Sequence, residues 1–367
     1  MHVAIFGAGI AGLMSAITLR LHGHSCALYE RSRQAHDAGM GFILMPEAIT
    51  CMEKLGIQLT GDCIGLPLDR YICRDITGKV LYEQAIAQPS RSIRRRELIN
   101  ALVDAANLKD ALKFDAELEQ LEFGDQGYVT TAVLSSGERV TADLFVAADG
   151  ARSRIRHTLF PNWPVQKARV LEVVGLVRCA KATRWAGHNF NKFHASAGGL
   201  AFGVLPVDKD HIVWFMQFDS FRFLPPRTRD ASSPDWQDFV LKIVGRWAFP
   251  VASLLATTES RNMHVWSPLD VDVIPCFHRE NVVLTGDAAH PLSPFTSQGV
   301  SSAVADAMTL ANVLPRTNDK KLLEKALAYY SDQRQRQCTL YLNTGRELTQ
   351  KFLAPVNRNN FMLPLAR

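Results

Sequence analysis

The sequence predicts an α/β protein in two parts: a parallel-sheet half, and an antiparallel α+β half inserted into it, with helices closing the C-terminus. Three observations predict this. Val3-Ala4-Ile5-Phe6 runs at once into Gly7-x-Gly9-x-x-Gly12, an apolar helical pattern to Leu21 and a second strand-like run, Ser25 to Tyr29, ending at Glu30. Leu144 to Ala148 and Val282 to Leu284 are unbroken apolar runs, the pattern of strands buried on both faces of a parallel sheet. Residues 165–275 differ in kind, with longer strands rich in β-branched and aromatic residues around one amphipathic helix.

The chain has 367 residues, enough for two domains, and 47% apolar with 21% charged residues is a globular composition. The net charge of +5 is spread along the chain. Arg91, Arg94, Arg95 and Arg96 cluster without interleaved aromatics and lead into a helix, so nucleic-acid binding is not indicated. Seven scattered cysteines show no CxxC pair or zinc spacing, which fits reduced thiols and a cytoplasmic protein with no metal site. Met1 runs almost directly into the first strand, leaving no room for a signal peptide. An apolar stretch of membrane-spanning length is absent.

In order along the chain, Arg31 to Gly41 reads as a loop. Pro46 opens a short helix with Ile49, Met52 and Leu55 on one face, and Gly56 stops it. Residues 66–92 read as strands with a turn at Asp75 to Gly78, followed by a helix whose stripe is Leu98, Ile99, Leu102, Val103 and Ala106. Strands return from Phe114, with a hairpin at Ser135 to Glu138, and end in Asp149-Gly150. In the second block, strands are expected at about 169–178, 200–206, 211–218 and 263–267, with a helix around Trp236 to Trp247. After Thr285-Gly286-Asp287 a helix starts near Gly299, and 319–353 reads as amphipathic helix before a loosely attached tail.

The glycine run carries the first chemistry. Gly7 allows a tight turn, Gly9 lets a pyrophosphate approach the backbone, and Gly12 lets helix and strand pack closely. The helix N-terminus offers unpaired N–H groups to phosphates, and Glu30 stands where a carboxylate can take ribose hydroxyls.

Two more motifs stand in order behind it: Asp149-Gly150-Ala151-Arg152-Ser153-Arg154-Ile155-Arg156, and Gly286-Asp287-Ala288-Ala289-His290-Pro291-Leu292-Ser293-Pro294. Together the three resemble the single-component FAD-dependent aromatic hydroxylases, the p-hydroxybenzoate hydroxylase-like family. The resemblance implies a Rossmann-like FAD-binding domain made of residues 1–70, 93–164 and 276–367, and a substrate domain made of 71–92 and 165–275. It implies non-covalent FAD held by Gly7, Gly9, Ala11, Gly12, Glu30, Arg31, Arg95, Asp149, Gly150, Gly286, Asp287, Pro294, Gln298, Gly299 and Val300. Arg94 and Arg96 leave the register at Arg95 open. The family usually reads Gly-Gln-Gly where this chain has Ser297-Gln298-Gly299, and serine does not readily take a positive φ.

The implied activity is hydroxylation of a small aromatic or heteroaromatic compound with NADH or NADPH and O2, through a flavin C4a-hydroperoxide, in a monomer or homodimer. The protein then supplies binding, orientation and exclusion of water. Phe193, Phe202, Trp214, Met216 and Pro294 are the candidate substrate contacts, although Trp214, Met216 and Phe218 alternate with Val213, Phe215 and Gln217, and the sequence does not say which set faces the flavin. His194 and His264 are candidate bases for a phenol-like substrate, against ordinary structural histidines. Two other readings stand beside this one: a flavin-dependent reductase or dehydrogenase acting on an apolar substrate, and a non-enzymatic flavin redox sensor.

Overall fold

A computed structural model describes residues 1–34, 40–59, 65–107, 111–228, 230 and 232–356. Much of the Arg31 to Gly41 loop and the tail beyond residue 356 lie outside them.

The N-terminal strand is the middle of a six-stranded sheet. Its spatial order is His278–Arg279, Val282–Leu284, Leu144–Ala147, His2–Phe6, Ser25–Tyr29 and Leu112–Lys113. All neighbours are parallel except the antiparallel edge strand His278–Arg279. The apolar runs read from the sequence are its centre: Val3, Ala4, Ile5, Phe145, Val146, Val283 and Leu284 are wholly buried. Helices Ile10–Leu21, Arg95–Ala106 and Gly299–Val313 pack there. Thr18 ties two of them by donating to the Ala307 carbonyl at 3.1 Å. The last helix, Lys320–Leu353, is capped by Asp319, whose carboxylate accepts from the Lys321 and Leu322 N–H groups.

The second sheet has seven strands in the order Met263–Trp266, Val170–Arg178, His211–Asp219, Leu200–Pro206, Asn189–His194, Arg70–Asp75 and Val80–Ala85. It is mixed rather than purely antiparallel, because Arg70–Asp75 joins Asn189–His194 in parallel and brings its hairpin partner with it. The Asn189–His194 strand has no counterpart in the sequence reading. Each of its faces mixes Phe with polar residues, Phe190 with Lys192 and His194 on one and Phe193 with Asn189 and Asn191 on the other, so no apolar period marks the strand.

One face of this sheet carries the helices Ala180–Ala186, Pro234–Val244 and Val251–Thr257. Trp214, Met216, Phe218, Phe202 and Phe193 point into that layer and are wholly buried. The Trp214 indole lies over Gly175, where a Cβ would sit 2.3 Å from the ring, and its N–H donates to Thr258 at 2.8 Å. The opposite face, with Glu172, Val174, Lys192, Val213, Phe215 and Gln217, looks across at the glycine turns of the first sheet. A small three-stranded sheet, of Gly41–Leu44, Arg91–Arg94 and Leu66–Pro67, joins the two.

Candidate active site

Three turns at the C-terminal ends of the parallel strands meet at one place. In the first, Gly7 has φ +105° and a Cβ there would lie 2.3 Å from the Ala148 carbonyl oxygen. A Cβ on Gly12 would lie 1.9 Å from the Gly7 carbonyl oxygen, so helix and turn touch backbone to backbone. The N–H groups of the first turn of Ile10–Leu21 have no intrahelical acceptor and no acidic side chain beside them. Glu30, 8% exposed, fixes this turn by accepting from Ala8 N at 2.7 Å and Ser32 N at 3.0 Å.

The second and third turns are bound to each other by Arg156. Its guanidinium donates to the Ala151, Asp287 and Ala288 carbonyls at 2.5, 3.1 and 2.9 Å. The arginine-rich part of the second motif is therefore a clamp on the third. Asp149 accepts from the Arg154 and Ile155 N–H groups through one oxygen, while its other oxygen is buried without a partner among the described residues. The third turn is held from behind by Asp306, which accepts from Gly286 N at 2.6 Å, His290 Nε2 at 2.6 Å and Arg334 Nε at 2.5 Å. His290 is thus a buried structural partner; Asp306 holds its imidazole well above the ordinary range, against the effect of burial.

Between these turns and the open face of the second sheet lies a cleft of about 460 Å³, within the range of small-molecule and cofactor sites. Gly9, Ala11, Gly150, Asp287, Pro294, Gly299 and Val300 line it from the first half. Asp287 lines the cleft and is exposed to solvent; desolvation by the surrounding protein raises its carboxyl, opposed by His290, Arg95 and Arg156. It accepts no hydrogen bond among the described residues. The register at the arginine cluster is resolved: Arg95 lines the cleft and faces Asp287, whereas Arg94 pairs with Asp208 at 2.6 Å. The helix Gly299–Val313 also starts at the cleft with no acidic residue in its first turn.

Several expected site residues lie elsewhere. Phe193, Phe202, Trp214 and Met216 are in the core beneath the covering helices, on the face away from the cleft, so the alternation resolves in favour of Val213, Phe215 and Gln217. Arg31 is exposed and outside the cleft. Glu30, Gly7, Gly12, Asp149 and Gly286 support the turns from beneath, and Gln298 is buried at the start of the last cleft helix. His264 lines the cleft at the sheet edge. His194 sits beside Tyr71, 3.4 Å from its hydroxyl, and burial pushes its imidazole down to about 3, which makes it a poor base near neutrality.

The sequence reading missed the polar floor of the cleft. Lys192 Nζ donates to Gln217 Oε1 at 2.5 Å, and the Gln217 amide N–H donates to Glu172. Glu172 and Gln217 are direct cross-strand partners. Lys192 reaches Gln217 over Gly203 and Ala201 of the intervening strand, whose small side chains leave room. A charged or amide residue at mid-strand in each of three apolar strands was the available signal.

The donor set fits FAD: two helix N-termini free of acidic residues, a facing arginine, and a cleft-lining carboxylate with unspent acceptor capacity. Comparison with known proteins agrees. Residues 1–342 match the family described as FAD binding domain, and the chain belongs to that family. It is 26% identical over 344 residues to the FAD-dependent urate hydroxylase of Klebsiella pneumoniae, covering 91% of this chain and 86% of that one. Monooxygenase 1 of Arabidopsis thaliana is 26% identical over 361 residues, covering 90% and 86%. Among solved structures, Klebsiella pneumoniae HpxO complexed with FAD and uric acid superposes with a TM-score of 0.84 at 24% identity, covering 96% of this chain and 88% of that chain. The 2,6-dihydroxypyridine-3-hydroxylase from Arthrobacter nicotinovorans gives 0.83 at 20% identity, covering 97% and 93%. These two likenesses bear on the fold. The chain is a flavoprotein enzyme of the FAD-dependent monooxygenase type.

Proposed function

We propose that this enzyme uses NADH or NADPH and O2 to hydroxylate a planar heteroaromatic substrate bound between the FAD turns and the Lys192–Gln217–Glu172 floor. The observation that carries the reading is the single cleft that joins the three turns to an apolar-walled, polar-floored pocket on the other sheet. The first helix N-terminus and Arg95 would hold the diphosphate, Asp287 would accept from the ribityl hydroxyls, and the Gly299 helix N-terminus would meet the negative pole of the ring system. Bound FAD supplies the exchange of electrons with NAD(P)H and the activation of O2.

The chain's own work is orientation and exclusion of water. Phe215, Phe190, Val213 and Leu205 wall the substrate side, while Pro294 and Leu292 close it from the flavin side. A nicotinamide cofactor would share this cleft transiently, since the sequence carries one dinucleotide fingerprint. No helix among the described residues is long and apolar enough to cross a membrane.

Stopped-flow absorbance of the FAD-loaded protein with NADH or NADPH and a panel of hydroxylated pyridines, quinolines and purines tests the proposal. The expected result is flavin reduction accelerated by certain members, followed by O2-dependent formation of a hydroxylated product. Reduction with no oxygenated product under any condition would favour a reductase instead.

A further inference from the structure

The floor of the cleft is built in an unusual way for an ion pair. Lys192 and Glu172 are both buried, yet the Gln217 amide stands between them instead of a direct contact. Lys192 has three N–H donors and spends one on Gln217 among the described residues. The rings of Phe295, Phe215 and Phe352 stand 5.2, 5.8 and 5.8 Å from its ammonium, stabilising the charge without taking a directed hydrogen bond. Glu172 accepts through one oxygen, and its second accepts nothing among the described residues. Both side chains line the cleft. Buried charges with unspent hydrogen-bonding capacity are costly unless a ligand completes them.

The Gln217 amide shows what completes them. It presents its carbonyl to the lysine and its N–H to the carboxylate. We propose that the cleft floor is a lactam-recognition site, at which a planar heteroaromatic substrate presents a cyclic amide edge in the same order as Gln217. The substrate's ring carbonyl accepts from Lys192 and its ring N–H donates to Glu172. This inference rests on the monooxygenase reading for the fate of the substrate, but the recognition itself is a matter of binding. Phe215, its cross-strand neighbour Val174, and Val213 line the cleft beside the two charged groups and give the ring an apolar surface to lie on.

Three probes separate the parts: quinolin-2-one, its N-methyl derivative, which lacks the donor, and 2-methoxyquinoline, which lacks the donor and the carbonyl. Dissociation constants are read from perturbation of the flavin absorbance of the FAD-loaded protein. The lactam is expected to bind about tenfold or more tightly than either methylated probe, as hydrogen bonds to charged groups require. Lys192→Met removes the carbonyl's share, so that the N-methyl derivative loses its advantage over 2-methoxyquinoline while the latter stays within about twofold; Glu172→Gln erases the discrimination against the N-methyl derivative. Because removing one charge strands the other, the Lys192→Met/Glu172→Gln double variant is measured alongside, with FAD content as the check of folding. Equal binding of all three probes, no binding of any, or a lactam preference that survives in the double variant would overturn the proposal. NAD(P)H consumption in the same samples reports the other reading separately: selective lactam binding without turnover would count against hydroxylation of such lactams and leave the recognition site standing.

Discussion

Ser297 has φ +53° and ψ +19°, left-handed backbone between the Pro294–Thr296 turn and the Gly299–Val313 helix. Its sequence suggested a residue reluctant to take that conformation, and the structure has it there nonetheless. The turn is fixed on both sides: Ser297 N donates to the Pro294 carbonyl at 3.2 Å, and Ser293 caps the turn through Phe295 N. For a residue with a Cβ this conformation costs about 1 kcal/mol, partly offset in any glycine replacement by the greater freedom of the unfolded chain. Ser297→Gly should therefore leave stability unchanged or raise it by up to about 1 kcal/mol in urea unfolding, with FAD retained. A loss of more than about 1 kcal/mol would mean that the serine side chain contributes something its backbone does not reveal.

At the scale of elements, the turns that meet FAD are held by groups behind them. Asp306, at 0% exposure, joins the Gly286 turn, His290 and the long C-terminal helix through Arg334. Asp306→Ala strands a buried guanidinium and an imidazolium and leaves the Gly286 N–H unpaired, so it should cost about 3–5 kcal/mol. Urea unfolding measures that loss, and release of FAD at denaturant concentrations below the global transition would show the third turn loosening first. An unchanged midpoint would show that the buried network adds nothing. The elements themselves were largely legible in the sequence. Strand, glycine turn and helix at residues 2–21 repeat the pattern of local signals closely, and the Pro46 helix ends before Gly56 at φ +76° as its chemistry required. The Asn189–His194 strand was not, because Phe190 and Lys192 share its cleft face while Asn191 and Phe193 share the other, which breaks the apolar period. Arg156 and Asp306 stand in or behind the motifs, but their roles were hidden: each acts on backbone groups more than a hundred residues away or across a helix packing, and no local spacing encodes that.

For the whole molecule, the cleft's chemistry arises from register across several strands, which is why the aromatic stripe at Trp214 pointed the wrong way and Lys192 was not anticipated. Small residues at Ala201 and Gly203 decide it, letting a lysine cross one strand to reach Gln217. The arrangement has a pH signature. Burial pushes the Lys192 ammonium down, to about 8, against the opposing pull of Glu172 and Cys73. Its neighbours do not change charge in the same window: the Cys73 thiol is pushed up to about 12, the Tyr71 phenol well above its ordinary value, and His194 down to about 3. Glu172 is raised by burial from the carboxylate range, opposed by its hydrogen bond from Gln217 and by Lys192. Below about pH 8 the folded protein holds the charged lysine and bears the cost of burying it. Between about 8 and 10.5 the unfolded chain binds more protons than the folded one, so this group's contribution to stability rises with pH. Affinity for a lactam runs the other way, because the cationic donor is lost over the lower part of that window. From pH 7 to 9.5, quinolin-2-one binding should weaken while urea stability, taken as the difference from Lys192→Met, increases. Opposed trends assign the titration to Lys192 at the ligand; weakening of both together would trace the lost binding to unfolding and remove the lysine from the site.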